Sequence, residues 1–226
     1  MDTAKIAKIS KMIDHTNLHA NATKDDIVQL CREAKQYGFR SVCINPRWAS
    51  VAKEELKGTN INVDVVIDWP VGASLVKARV EEAKAAKKAG ANEIDPVLDV
   101  GDFKMGNYDL VLKELKEVAK VLPTKLILET GYLTDEEIAK ASAIVKEAGC
   151  YCVKTSTGMD PKVGIDEKIR HIKIMREAVG PDFPIKAAGG IRTIEDAERG
   201  VAAGANIIGT SSALKIIGVS DKGGDY

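Results

Sequence analysis

The chain carries no excess of charge. Lysine and arginine total 33 and aspartate and glutamate total 33 in 226 residues, so no long-range field draws it to nucleic acid or to an anionic membrane surface. Any affinity for an anion must therefore be built locally. Paired-cysteine spacing is also missing: Cys31, Cys43, Cys150 and Cys152 form neither a C-x-x-C zinc motif nor a secreted disulfide framework. Free thiols in a reducing cytosol are expected instead. The opening "MDTAKIAKIS" lacks the apolar segment of a signal peptide, and no apolar run reaches the roughly 18 residues that span a bilayer. A cytoplasmic protein with neither nucleic-acid nor membrane partners is the expectation.

A phrase recurs where those features do not. "AKQYGFRSVCIN", "AKKAGANEIDPV", "VKEAGCYCVKTS" and "VAAGANIIGTSS" each read as the end of a charged helix, a glycine (Gly38, Gly90, Gly149, Gly204) and a short apolar run. Glycine accepts the left-handed backbone needed just past a helix, so each marks a helix-to-strand turn. The interval of about 55 residues leaves room for two βα units, and the alternate strands fall where this predicts, in "KMIDHT", "NVDVVIDWP", "TKLILETG" and "FPIKAAGG". Eight strands alternating with amphipathic helices imply an α/β fold with a parallel sheet closed into a (β/α)8 TIM barrel. An open doubly wound sheet is the structural alternative, but no Gly-x-Gly-x-x-Gly follows the first strand. No linker or composition shift divides the chain. Residues 1–217 are expected to form one catalytic barrel domain and 218–226 a loose tail.

Barrel enzymes gather their chemistry at the carboxyl ends of the strands. In strand order those ends hold Asp14 and Thr16, Cys43 and Asn45, Asp68, Asp95, Glu129, Lys154, Lys186, and Ser211 with Ser212. Most lysines sit on charged helix faces such as "EEAKAAKKAG", where solvation explains them. Lys154 and Lys186 stand inside apolar strands. Alternation places Cys152, Lys154 and Ser156 on one face, and the sixth and seventh strands are neighbours, so two inward ammonium groups come close. Crowding of like charges depresses the pKa of one amine and makes it a nucleophile near neutrality. Such an amine attacks a carbonyl to give an iminium, an electron sink for cleaving the adjacent carbon–carbon bond. That chemistry requires neither metal nor organic cofactor. It does require proton transfer, for which Asp95 is the candidate, with Asp14 orienting water or a substrate hydroxyl. Gly189 and Gly190 after the seventh strand, Gly209, Ser211 and Ser212 after the eighth, and Gly158 can bring amides and hydroxyls to a phosphate. His15, His19 and His171 read as surface or capping groups.

Across nearly its whole length, from "IDHT" through "SVCINP", "NEIDPV", "VKTSTG" and "KAAGGIRT" to "GTSS", the chain resembles the deoxyribose-phosphate aldolases. The resemblance implies a class I aldolase that reversibly cleaves 2-deoxy-D-ribose 5-phosphate to glyceraldehyde 3-phosphate and acetaldehyde. It implies Lys154 as the Schiff-base lysine, Lys186 as the group that lowers its pKa, and Asp95 as the proton carrier. Asp14, Thr16 and Cys43 would line the substrate pocket, and Gly158, Gly189, Gly190, Ser211 and Ser212 would bind phosphate. A related Schiff-base aldolase or transaldolase with another sugar phosphate, and a non-catalytic sugar-phosphate-binding barrel, remain alternatives. Homo-oligomers are common among barrels, and one is expected here. Four positions depart from the family pattern. Pro96 follows Asp95 and removes a donor from an interior ladder. Asp68 and Trp69 replace a glycine or asparagine and a phenylalanine. Met159 stands where some members have a lysine near the phosphate. Tyr226 instead matches a terminal tyrosine that some members carry, and it is a candidate proton-transfer group on the tail.

Overall fold

The computed structural model describes residues 3–159 and 163–220. Tyr226 lies outside them. Eight parallel strands are present: β1 (Ile13–Asn17), β2 (Ser41–Ile44), β3 (Asn62–Ile67), β4 (Glu93–Pro96), β5 (Lys125–Ile127), β6 (Cys152–Lys154), β7 (Ile185–Ala188) and β8 (Ile207–Thr210). Between and around them run α1 (Thr3–Ser10), α2 (Lys24–Tyr37), α3 (Ala49–Glu55), α4 (Val76–Ala89), α5 (Val100–Lys104), α6 (Tyr108–Ala119), α7 (Asp135–Glu147), α8 (Ile165–Val179), α9 (Ile194–Ala202) and α10 (Ala213–Ile216). The expected barrel is therefore observed. Two elements were not anticipated: α1, which brings Ile9 into the apolar core before β1 begins, and the doubled helix α5–α6 between β4 and β5.

Local chemistry explains the helix boundaries. Thr23 with Asp26, Thr134 with Glu137 and Thr193 with Asp196 form reciprocal capping boxes that start α2, α7 and α9. The recurring glycines end helices as expected. Gly204, at φ +116°, is required twice over, because a Cβ there would stand 2.9 Å from Arg176 Nε. That guanidinium bonds the carbonyls of Gly204 and Phe183 and the Asn206 side chain, tying α8 to the turn before β8.

Strand order runs β4-β3-β2-β1-β8-β7-β6-β5, and the barrel closes between β4 and β5 only through isolated bridges, Ile94 with Thr124 and Val97 with Ile127. Pro96 accounts for the thin seam. Ile94 donates to Pro123 O and Leu98 to Ile127 O. Alternate amides of a strand point the same way, so residue 96 should donate between them and, as proline, cannot.

Alternation also sorts the two faces of every strand. Val42, Ile44, Val63, Val65, Ile94, Leu126, Val153, Ile185, Ala187 and Ile208 face outward into the apolar layer under the helices, where Ile27, Leu30, Ile138, Ile172 and Met175 meet them. Each fully buried aliphatic chain contributes roughly 1.5–3 kcal/mol. The opposite phase points into the barrel and carries the buried charges, Asp14, Asp64, Glu93, Asp95, Lys125, Lys154 and Lys186, among a few apolar residues such as Val66. His15 and His171 are buried rather than surface groups: His15, on the outer face of β1, pairs with Glu33 at 2.7 Å and meets the Phe39 ring edge-on.

Candidate active site

Inward-facing side chains build a ladder of buried charge along the barrel axis. At the amino-terminal end Arg40, just before β2, bonds Asp14, Glu93 and the Tyr151 hydroxyl. Above it four groups form a closed ring. Lys125 Nζ lies 2.8 Å from both Asp64 Oδ1 and Asp95 Oδ1, and Lys186 Nζ lies 2.9 Å from Asp64 Oδ2 and 2.8 Å from Asp95 Oδ2. Lys186 reaches Asp14 as well, at 2.6 Å, and Lys125 reaches Glu93 at 3.0 Å. Lys154 caps the ladder with a 2.8 Å bond to Asp95 Oδ2, the oxygen Lys186 also uses. Four cations and four carboxylates thus balance within one enclosed network. Removing isolated ions from water costs several kcal/mol each, and only this mutual pairing offsets it.

The fields within the network follow from its geometry. Burial alone would raise the Asp95 carboxyl, but Lys125, Lys154 and Lys186 outweigh it and hold Asp95 well below the ordinary carboxylate range. Asp14 is buried too, and Lys186 and Arg40 pull it down in the same way. Asp64 goes the other way, raised by burial and by the neighbouring Asp95 charge despite its two lysines. Burial would lower Lys125 and Lys186; their carboxylates overturn this and raise both well above the ordinary lysine value.

Lys154 and Lys186 are direct register partners on β6 and β7, as the strand reading requires. Asp95 joins them, so the expected trio is one cluster. Lys186 is not merely a crowding cation: three carboxylates fix it. Thr16, Lys154, Gly158, Gly189, Gly190 and Ser211 line one cleft of about 20 Å³ at the strand ends. Asp14 and Cys43 do not join that lining. Asp14 lies deeper, tied to Arg40 and Lys186, and Cys43 faces Asp64 and Asp95 inside the barrel. Ser212 is buried behind the cleft, where its amide bonds Thr210 Oγ1. All four cysteines are free and buried. Cys43, Asp64 and Asp95 are the one grouping of metal-ligating types among the described residues, but lysine ammonium groups already occupy the carboxylates.

Two departures from the family pattern resolve as loop structure. Asp68, at φ +48°, accepts from Ser74 and pairs with the buried Arg79, clamping the loop after β3. Met159 lines a separate apolar hollow of about 510 Å³ on the other half of the mouth, with Val71, Val97, Val100 and Tyr132. Strand-end reasoning missed Lys125, Asp64 and Glu93, which stand at or near strand starts. Their signal is the one that singled out Lys154, a charge inside an apolar strand.

A buried charged axis that opens into a cleft at the carboxyl ends of eight parallel strands is the arrangement of a (β/α)8-barrel enzyme. A family model described as DeoC/LacD family aldolase matches residues 8–218, and the chain belongs to that family of carbon–carbon lyases. A deoxyribose-phosphate aldolase of Thermoanaerobacter sp. (strain X514) is 49% identical over 215 residues, 92% of this chain and 95% of the relative. One of Thermococcus gammatolerans is 48% identical over 92% of this chain and 95% of its own. Among solved structures, a putative deoxyribose-phosphate aldolase from Coccidioides immitis superposes with a TM-score of 0.88 at 37% identity, covering 94% of this chain and 85% of that one. The deoxyribose phosphate aldolase from Aeropyrum pernix, described as having a unique tetrameric structure, gives 0.84 at 30% identity, covering 93% and 90%. No helix among the described residues is long and apolar enough to cross a membrane.

Proposed function

We propose that the protein reversibly cleaves 2-deoxy-D-ribose 5-phosphate to D-glyceraldehyde 3-phosphate and acetaldehyde through a Schiff base on Lys154. The placement of Lys154 carries the reading. It is the one lysine of the ladder that lines the cleft, and it has a single carboxylate partner, whereas Lys125 and Lys186 are each held by three. The amine adds to C1 of the open-chain sugar and water departs, leaving an iminium. The C3 hydroxyl loses its proton, the C2–C3 bond breaks, and its electron pair moves to the nitrogen as an enamine while glyceraldehyde 3-phosphate forms. A proton delivered to C2 restores the iminium, and water releases acetaldehyde and the amine. Asp95, 2.8 Å from Lys154 Nζ, is the carboxylate placed to pass these protons, through water where needed. Lys186 fixes Asp95, and Asp14 acts on the site through Lys186 rather than on substrate.

The cleft of about 20 Å³ has room for little more than one water-sized group, so it must widen around a sugar phosphate. Gly158, Gly189 and Gly190, all at positive φ, line it and are the backbone able to yield. The tetrameric Aeropyrum relative supports a homo-oligomer here. The activity is tested by following 2-deoxy-D-ribose 5-phosphate and the purified protein by NMR. Acetaldehyde and glyceraldehyde 3-phosphate should appear together in equal amounts; an unchanged sugar would refute the assignment.

A further inference from the structure

Lys168, at the start of α8, is a buried ammonium with no carboxylate of the described residues in ion-pair contact with it. It is 2% exposed, and its hydrogen-bond partner among the described residues is Ser156 Oγ, 2.8 Å away. Every other buried lysine among the described residues faces at least one carboxylate: Lys154 faces Asp95, and Lys125 and Lys186 face several. The nearby buried acid, Glu129, accepts instead from the amide and hydroxyl of Thr157. An ammonium has three donors, and burying one without a counter-charge is strongly unfavourable. Among the described residues, no carboxylate is paired with this amine.

The position of the amine shows where its counter-charge belongs. A Cβ built on Gly189 would lie 3.4 Å from Lys168 Nζ and 3.3 Å from both Gly158 Cα and Ser156 Cβ. Lys168 thus sits beneath the crossing of the two glycine loops that line the cleft. Any side chain at 189 would press on the amine and on Gly158 alike, and at φ +76° the backbone there is left-handed as well. We propose that Lys168 supplies the positive charge that holds the substrate's phosphate at the Gly158, Gly189 and Gly190 end of the cleft. The proposal rests on the reading of the substrate as a sugar phosphate and assigns its anion a specific partner. Burial brings the amine down to about 8, opposed by Glu129 at the end of β5 and Glu167 on α8, so it remains charged at neutral pH. His171, on the same helix, is itself pushed down by burial and by Arg170, and adds little competing charge.

The test compares wild type with Lys168→Met and Lys168→Arg. For each, kcat and KM are measured with 2-deoxyribose 5-phosphate and with 2-deoxyribose, and inorganic phosphate is titrated calorimetrically. In Lys168→Met the preference for the phosphorylated sugar should fall at least tenfold, mainly through KM, and phosphate affinity should fall in step. Lys168→Arg should keep most of both. The melting temperature of Lys168→Met should hold or rise, since an unpaired buried charge is removed. Unchanged preference and phosphate affinity would overturn the proposal, as would equal losses on both sugars with a lowered melting temperature, the mark of a merely structural lysine. If wild type cleaves neither sugar, the aldolase reading fails, while the phosphate titration alone still decides the role of Lys168.

Discussion

Asp95 accepts from three lysines at once, and Lys154 donates to one carboxylate. The two residues should therefore fail differently when replaced. Lys154→Leu is expected to abolish turnover, by three orders of magnitude or more, while leaving the chain folded, because Asp95 keeps Lys125 and Lys186. Asp95→Asn should lower kcat by about 10²–10⁴ and also cost about 3 kcal/mol of stability, since it strips a charge from an enclosed network. Steady-state rates and urea denaturation of both variants separate the cases; a Lys154→Leu protein that still turns over contradicts the nucleophile assignment. Asp64→Asn should be destabilising in the same way, because its carboxylate closes the ring between Lys125 and Lys186. Lys154, Lys186 and Asp95 are legible in the sequence because a charge interrupting an apolar strand is conspicuous. Lys125 in "TKLILE" and Asp64 in "NVDVVI" carry the same mark, but a search confined to strand ends passes over them. Lys168 carries no mark: within "IDEKIRHIKIMR" a lysine looks like part of a solvated helix face, and only tertiary packing buries it.

Among the elements, the seam between β4 and β5 is the weak joint. The two bridges there replace the continuous ladders found between the other neighbours, and Pro96 removes the amide that would have strengthened it. Amide hydrogen exchange should show Ile94 and Leu98, which donate across the seam, opening before the β1–β2 amides of Val42 and Ile44. Equal protection would show that the helices, not the ladder, hold the barrel closed. Strand and helix existence was legible from the glycine phrase and from the apolar runs between. The extra helices α1 and α5 were not, because α1 precedes the repeating pattern and α5 is a single capped turn starting at Asp99. The loop clamp of Asp68 and Arg79 was likewise hidden, since its partners lie eleven residues apart and meet only through the left-handed turn.

For the whole molecule, the buried ladder dictates how stability follows pH. Asp14 and Asp95 are depressed below the ordinary value of 3.8, so their contribution is present above that pH and is lost as pH falls toward their folded values. Lys125 and Lys186 are raised above 10.5, so theirs is present below that pH and is lost as pH rises through the folded values. Asp64, raised by burial, works against the acidic pair just above 3.8, where the unfolded chain is already ionised. Urea midpoints should form a plateau between roughly pH 5 and pH 7.5, below the point where Lys168 begins to lose its proton, and should fall at acid and at strongly alkaline pH. A single sharp optimum inside that interval would mean that the network is not ionised as its geometry requires.

The account turns on which lysine meets the aldehyde. Incubating the protein with acetaldehyde, reducing with borohydride and mapping the modified peptide by mass spectrometry reads this directly. The adduct should fall on Lys154 and disappear in Lys154→Leu; an adduct on Lys125 or Lys186 alone, or none at all, would contradict it.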